Sequence, residues 1–406
     1  MLFKDVIGQA EVKQQLVEMV AQNRLSHALL LLGPEGSGAL SLGIAFANYL
    51  SLIPGPSKGQ QPANPLFADE SLPSTDQLPH KTDEADAWMQ KQPGYSKSAA
   101  MVHPDIHFSY PVIPKKSGDK PLSTDFISEW REFVQQYPYG NVYDWLQFIG
   151  AENKQGNITA HECNDINHKL YLKSFESSYK ILLMWMPEYL GNEGNKLLKL
   201  IEEPPPDTIF VFVAENESLI LPTILSRIQL IRVPPLEIAS IENMLIEKAK
   251  LQPEQARQIA AVCEGNYRDA LQLLQHAEED WQSLLRDWLN AALKTGPAAQ
   301  VKWVEEISKL GREKQKQFLR YFNHLLEQAI RLNVMKELHL NMAENERDFA
   351  IRLNKIADVS QQQAIIEELD KAVYYIERNA NAKMLFHALT IKLYHIIANK
   401  EVLSET

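Results

Sequence analysis

At 406 residues the chain is too long for one ordinary hydrophobic core, so two or three domains are expected. Hydrophobic residues make up 45% and charged residues 23%, as in globular proteins, and no apolar run reaches the roughly 18 residues of a spanning helix, so no membrane association is expected. The net charge of −11 argues against a chain that grips nucleic acid broadly by itself, since duplex affinity comes from clustered cations; it favours protein partners.

The first residues, MLFKDVIGQAEV, hold no basic segment followed by an apolar core, so no secretory signal is read and a cytoplasmic location is expected. Val12, Leu16, Met19 and Val20 recur at helical spacing. His27 leads into Ala28–Leu32, a continuous apolar run typical of a buried parallel strand, and Gly33-Pro34-Glu35-Gly36-Ser37-Gly38 then opens a helix with Leu42, Ala45, Phe46, Tyr49 and Leu50 on its apolar face. Residues 54–100 carry seven prolines in 47 positions and little periodicity, as in a surface insertion or a partly disordered loop. Ordered sequence restarts at His103–Phe108, and 123–148 form an aromatic-rich helical stretch. Beyond it the pattern predicts a helix over 158–172, strands over 180–186, 208–213 and 230–233, and helices over 192–201 and 220–226. Strands alternating with helices mean a parallel α/β sheet. After Pro235 only helices are expected: three short ones over 237–277, then a longer series in which Lys383–Ala398 is apolar nearly all round and so should be buried.

Gly33 to Leu40 fits the glycine frame of a P-loop, G-x-x-x-x-G-K-[ST], between a strand and a helix as that motif requires. Gly33, Gly36 and Gly38 would let backbone N–H groups face a phosphate. Ala39 stands at the lysine position and Leu40 at the Ser/Thr position, so neither the β/γ-phosphates nor Mg²⁺ would find a partner. The other half of such a site should be acids at a neighbouring strand end; here that strand ends in Trp185, Met186 and Pro187, and the first acid is Glu188. A hard cation wants oxygen, which Trp and Met lack. The loop reads as a Gly-rich turn without cofactor. Cys163 and Cys263 lie far apart and outside any CxxC pair, so they are expected to be reduced thiols and no metal site is expected.

His27-Ala28, GPEGSG, NKLLKLIEEPPPDTIFVFVAEN, LPTILSR and GNYRDALQLL follow one another in the order and spacing of the bacterial clamp-loader AAA+ subunits, and RNANAKMLFHALTIKL is similar to the end of that family's C-terminal helices. The chain resembles this family over residues 1–50 and about 158–278, and its delta-prime branch most. The resemblance implies an α/β plus all-α fold: an AAA+ RecA-like sheet domain over 1–235, a small helical lid over 236–279 and a helical collar over 280–406. It implies assembly with delta and gamma/tau subunits, a sliding clamp and, through the complex, primed DNA. It further implies a subunit that hydrolyses no ATP and supplies an arginine finger to a neighbour. Ser226-Arg227-Ile228 matches the family's Ser-Arg-Cys motif, which makes Arg227 the finger unless it only pairs with a carboxylate at a helix end, and Arg268 matches the sensor-2 arginine but, with no nucleotide to reach, is expected in an interdomain salt bridge.

The family's four-cysteine zinc module is absent, with 54–100 in its place; Ile228 replaces a cysteine; and 111–157 exceed what the family core needs. Glu202 and Glu203 cap structure or meet a neighbour, or equally form a solvated face. Asn216 lies near the sensor-1 position but equally suits a polar strand end. Lys196 and Lys199 lie on a helix that could face a central channel, although a solvated lysine pair is the commoner arrangement. Two other functions remain open: an ATP-driven motor with an atypical P-loop, and a scaffold whose Arg227 is structural.

Overall fold

The fold was obtained as a computed structural model that describes residues 1–54, 78–116, 118–151, 154–275, 281–334, 344–377 and 380–399. It divides into two compact units, Met1–Ala256 with Cys263–Arg268, and Arg257–Val262 with Asp269–Thr406.

The first unit is built on five parallel strands: β1 (Ala28–Leu32), β2 (Ile106–Ser109), β3 (Lys180–Trp185), β4 (Thr208–Ala214) and β5 (Gln229–Arg232), ordered β2-β3-β4-β1-β5. In register, Leu30 lies between Phe212 and Leu230, and Leu183 pairs with Val211 and Phe108. β1, β3 and β4 are buried along their whole length, which is why they read as continuous apolar runs. Successive side chains point to opposite faces, so Leu29 and Leu31 enter one core layer while Ala28, Leu30 and Leu32 enter the other.

Helices cover both faces. In chain order they are α1 (Ala10–Ala21), α2 (Ala39–Ser51), α3 (Thr82–Lys91), α4 (Tyr95–Ala99), α5 (Ile127–Gln136), α6 (Val142–Phe148), α7 (Ala160–Leu170), α8 (Leu198–Glu202), α9 (Pro222–Leu225) and α10 (Ile238–Ala249). The helix expected over 192–201 is instead a 3-10 stretch, Pro187–Leu197, interrupted at Gly191 and continued by α8. Of the Pro-rich segment, 55–77 lie outside the described residues, and the remainder is ordered. α3 docks Ala85 and Met89 into the core, and the buried Asp86 accepts N–H bonds from Phe3 (2.8 Å) and Lys4 (2.8 Å).

Segment 111–157 supplies an aromatic core. Tyr110 stacks on Trp130 with ring centroids 4.1 Å apart, and Trp145 meets Trp130 edge-on at 5.4 Å. The Trp145 indole N–H donates to the Pro111 carbonyl at 2.7 Å, so the buried ring keeps its polar end satisfied.

α11 (Pro253–Val262) and α12 (Tyr267–Gln275) contribute residues to both units. The second unit is otherwise α13 (Trp281–Asn290), α14 (Pro297–Ser308), α15 (Arg312–Val334), α16 (Glu344–Ile356), α17 (Val359–Glu377) and α18 (Ala382–Ala398). Its core gathers Trp288, Trp303, Phe318, Phe322 and Phe386, with Trp288 and Trp303 stacked at 4.7 Å. The expectation that the last helix is buried all round is corrected. α18 buries Phe386, Leu389, Leu393 and Ile396, but Met384, Ile391 and Tyr394 are exposed, because the other helices pack against one face only. The fold is therefore α/β plus all-α: a unit built on a five-stranded parallel sheet, and a helical unit.

Candidate functional site

Gly33–Leu40 forms the expected strand-to-helix loop. Gly36 (φ 73°) and Gly38 (φ 86°) adopt left-handed conformations open to glycine. Both also permit close approach, though not of a phosphate. A Cβ on Gly36 would lie 1.8 Å from Asn266 Oδ1, and one on Gly38 would lie 2.8 Å from Tyr139 Cε1. The chain's own side chains lie against the loop.

Tyr139 belongs to the turn between α5 and α6. The preceding Pro138 offers its carbonyl to the Ser41 hydroxyl at 2.6 Å, tying the turn to the first turn of α2. The Ile7 N–H donates to Tyr139 Oη at 2.7 Å, and Tyr139 meets Tyr267 edge-on at 5.0 Å. Burial pushes the Tyr139 phenol well above its ordinary value, so the hydroxyl stays protonated as it accepts that bond. The cavity left between Gly33–Leu40, Pro138–Gly140, Trp185–Met186 and Val213–Glu215 has a volume of about 20 Å³. That is enough for a water.

The strand end that would carry metal-binding acids is part of the aromatic core. Trp185 packs on Trp130 at 5.2 Å and on Phe133 at 6.1 Å and is 2% exposed. Glu188, the first acid beyond it, turns back into the fold: its Oε1 accepts from the N–H groups of Glu215 (2.7 Å) and Asn216 (2.9 Å). Burial raises its pKa, with those two bonds opposing. The site's residues do not fit a metal-bound nucleotide. Ala39 and Leu40 offer neither ammonium nor hydroxyl, Trp185 and Met186 offer no oxygen, and Tyr139 fills the space. Among the described residues, no group of three or more His, Cys, Asp or Glu side chains could hold a metal.

Arg268 lies beside this loop, 4% exposed. Its Nε and Nη2 form a two-point clamp on Asp144, at 2.5 and 2.6 Å, and Nη1 donates to Glu35 at 3.0 Å. Glu35 is a loop residue that also accepts from Asn141 Nδ2 at 3.0 Å. Asp144 and Asn141 cap α6 reciprocally, with the Asp144 N–H on Asn141 Oδ1 at 3.0 Å and the Asn141 N–H on Asp144 Oδ2 at 3.1 Å. Glycine loop, α5–α6 turn and the Cys263–Arg268 segment are thus one polar assembly.

Arg227 stands elsewhere, just past α9. Its Nε pairs with Glu202 at the end of α8, and its Nη1 donates to the Thr223 carbonyl (2.7 Å) and to Ser226 Oγ (3.0 Å). Its Nη2 makes no hydrogen bond among the described residues, and the side chain is 36% exposed. Ile228 packs against the core layer under α8 and α9. Asn216 caps the short turn after β4, accepting from the Ser218 N–H at 3.0 Å. Lys196 pairs with Glu193 at 2.5 Å, and Lys199 is exposed. Both cysteines are buried free thiols, the Cys163 thiol pushed up to about 11 by burial. Sequence reasoning missed Tyr139, Glu35 and Asp144, which meet partners more than 100 positions away along the chain.

Comparison with known proteins follows the same line. A family model described as "DNA polymerase III, delta subunit" matches residues 97–237. Subunit tau of DNA polymerase III from Bacillus subtilis is 23% identical over 334 residues, covering 80% of this chain and 46% of its own length. The delta' subunit from the same organism is 25% identical over 270 residues, covering 66% and 60%. The chain thus spans about half the length of these curated relatives. A DNA polymerase III gamma subunit-related protein from Thermotoga maritima aligns over 96% of this chain and 99% of its own, at 14% identity and a TM-score of 0.35. On the family model and the curated relatives, the chain is similar to the clamp-loader subunits of bacterial DNA polymerase III.

Proposed function

We propose that this chain is a delta-prime-type clamp-loader subunit that binds and hydrolyses no nucleotide itself and presents Arg227 to the ATP of an adjacent subunit. With delta and gamma/tau-type partners it would help place a sliding clamp on primed DNA in the bacterial cytoplasm. The observation that carries this reading is Tyr139 packed against Gly38 of a glycine loop that has Ala39 and Leu40 where phosphate and Mg²⁺ need a lysine and a hydroxyl. In nucleotide-binding relatives the sensor-2 arginine reaches phosphate; here Glu35 and Asp144 give Arg268 its anionic partners. Domain boundaries at 235/236 and 279/280 are part of the proposal. Met384, Ile391 and Tyr394 on α18, with Tyr374 and Tyr375 on α17, form the kind of exposed apolar surface that suits packing against other subunits.

Arg227 suits the role because a guanidinium stays charged and presents fixed paired donors to phosphate oxygens. A finger supplied in trans is worth roughly 10³–10⁵ in rate at the site it serves. The test is a loader reconstituted with Arg227→Ala. Assembly should persist while ATP turnover at the facing site is lost. Unchanged turnover with intact assembly would favour the scaffold alternative.

A further inference from the structure

We infer that Glu202 is a positioning residue for Arg227: it fixes the guanidinium so that its outer edge faces a neighbouring subunit. This rests on the proposed role of Arg227 and adds a residue to it.

The two side chains come from separate elements held on one core layer. Ile201, beside Glu202, and Ile224, three residues before Arg227, are both buried there (0% and 1% exposed). The end of α8 is further fixed by His27, whose Nε2–H donates to the Ile201 carbonyl at 2.9 Å, and prolines 204–206 follow at once. α9 is fixed by Pro222 at its start. Between these supports, Glu202 takes Nε, and the Thr223 carbonyl with Ser226 Oγ takes Nη1. A guanidinium is planar, so fixing Nε and Nη1 sets the direction of Nη2. Nη2 has no hydrogen-bond partner among the described residues, and it is the group left to meet an incoming phosphate oxygen.

Stability does not account for the pair. Its members are 36% and 43% exposed, and an ion pair so exposed contributes little to folding. Its effect is on orientation: without Glu202, the long arginine side chain would sample several rotamers, and only a fraction would point outward. A positioned donor reaches the transferring phosphoryl group without reorganisation, so the loss should fall on turnover rather than on ATP affinity.

The experiment is a double-mutant cycle in the reconstituted loader, using Glu202→Ala, Arg227→Ala and the double variant, with Glu202→Gln as a conservative fourth. ATP turnover and KM are measured in each, beside the melting temperature of the chain. We expect Glu202→Ala to lower kcat about tenfold or more with KM unchanged, as the loss of a hydrogen bond to a charged group implies. Glu202→Gln, which keeps an acceptor, should recover part of it. The double variant should be no slower than Arg227→Ala, and melting should not move. Additive losses, or an unchanged kcat in Glu202→Ala when Arg227→Ala is slow, would overturn the role of Glu202 alone. If Arg227→Ala itself turns over normally, the finger fails and the inference with it.

Discussion

Replacing Arg268 by alanine tests the polar assembly at the glycine loop. The substitution removes a guanidinium that is 4% exposed and leaves two carboxylates, Glu35 at 17% and Asp144 at 16% exposure, facing each other without it. Breaking a buried ion pair by deleting one partner costs about 3–5 kcal/mol. Because both acids keep some solvent, the lower end applies, about 3 kcal/mol. For a unit of this size that corresponds to a fall in melting temperature of roughly 6–12 °C. Arg268→Lys keeps the charge but loses the two-point clamp on Asp144, so it should recover only part of the loss. The assay is thermal unfolding of the full chain followed by circular dichroism, at low and at high salt. A buried cluster is weakly screened, so the loss should persist at about 1 M salt. A change below about 1 kcal/mol, or one that vanishes in salt, would refute the reasoning.

Two further outcomes follow from burial. Trp185→Asp, which restores an acid at the strand end, should destabilise the chain by at least about 4 kcal/mol without creating metal affinity. It deletes a large buried ring and places a carboxylate between Trp130 and Phe133; soluble, normally melting protein would contradict it. In the second unit, burial lowers the His324 pKa from 6.5 to about 4. A histidine held neutral when folded but protonated when unfolded contributes stability above pH 6.5 that is lost as pH falls toward 4. The loss approaches about 3 kcal/mol, at roughly 1.4 kcal/mol per pKa unit. His324→Gln should flatten that dependence in urea titrations between pH 7 and 4.5, and an equally steep profile would contradict the assignment.

Which parts of this were legible in the sequence follows from the physics of each element. β1, β3 and β4 are buried on both faces, so unbroken apolar runs marked them almost to the residue. β2 is short, with a half-buried His107 in its centre, and read only as ordered sequence. α3 went unseen because Ala85 and Met89 are too few apolar residues to stand out between Pro-rich flanks. That Ala39, Leu40, Trp185 and Met186 lack the groups a P-loop site uses could be read from the sequence. What fills it could not, since Glu35 and Arg268 are 233 positions apart and Pro138-Tyr139-Gly140 resembles any turn. Arg227 was singled out by the resemblance alone, whereas its pairing with Glu202 emerges only when the ends of α8 and α9 are seen side by side. α18 shows the converse limit: apolar composition does not say which face other helices will cover.

The most direct test of the account is equilibrium titration of the intact chain with labelled Mg-ATP. With Tyr139 against the loop, and Ala39, Leu40 and Trp185 where the lysine, the metal-binding hydroxyl and the strand-end acid would stand, no saturable binding should occur up to millimolar concentrations. Micromolar affinity at one site would mean that the turn leaves the pocket and that this chain is a nucleotide-driven subunit.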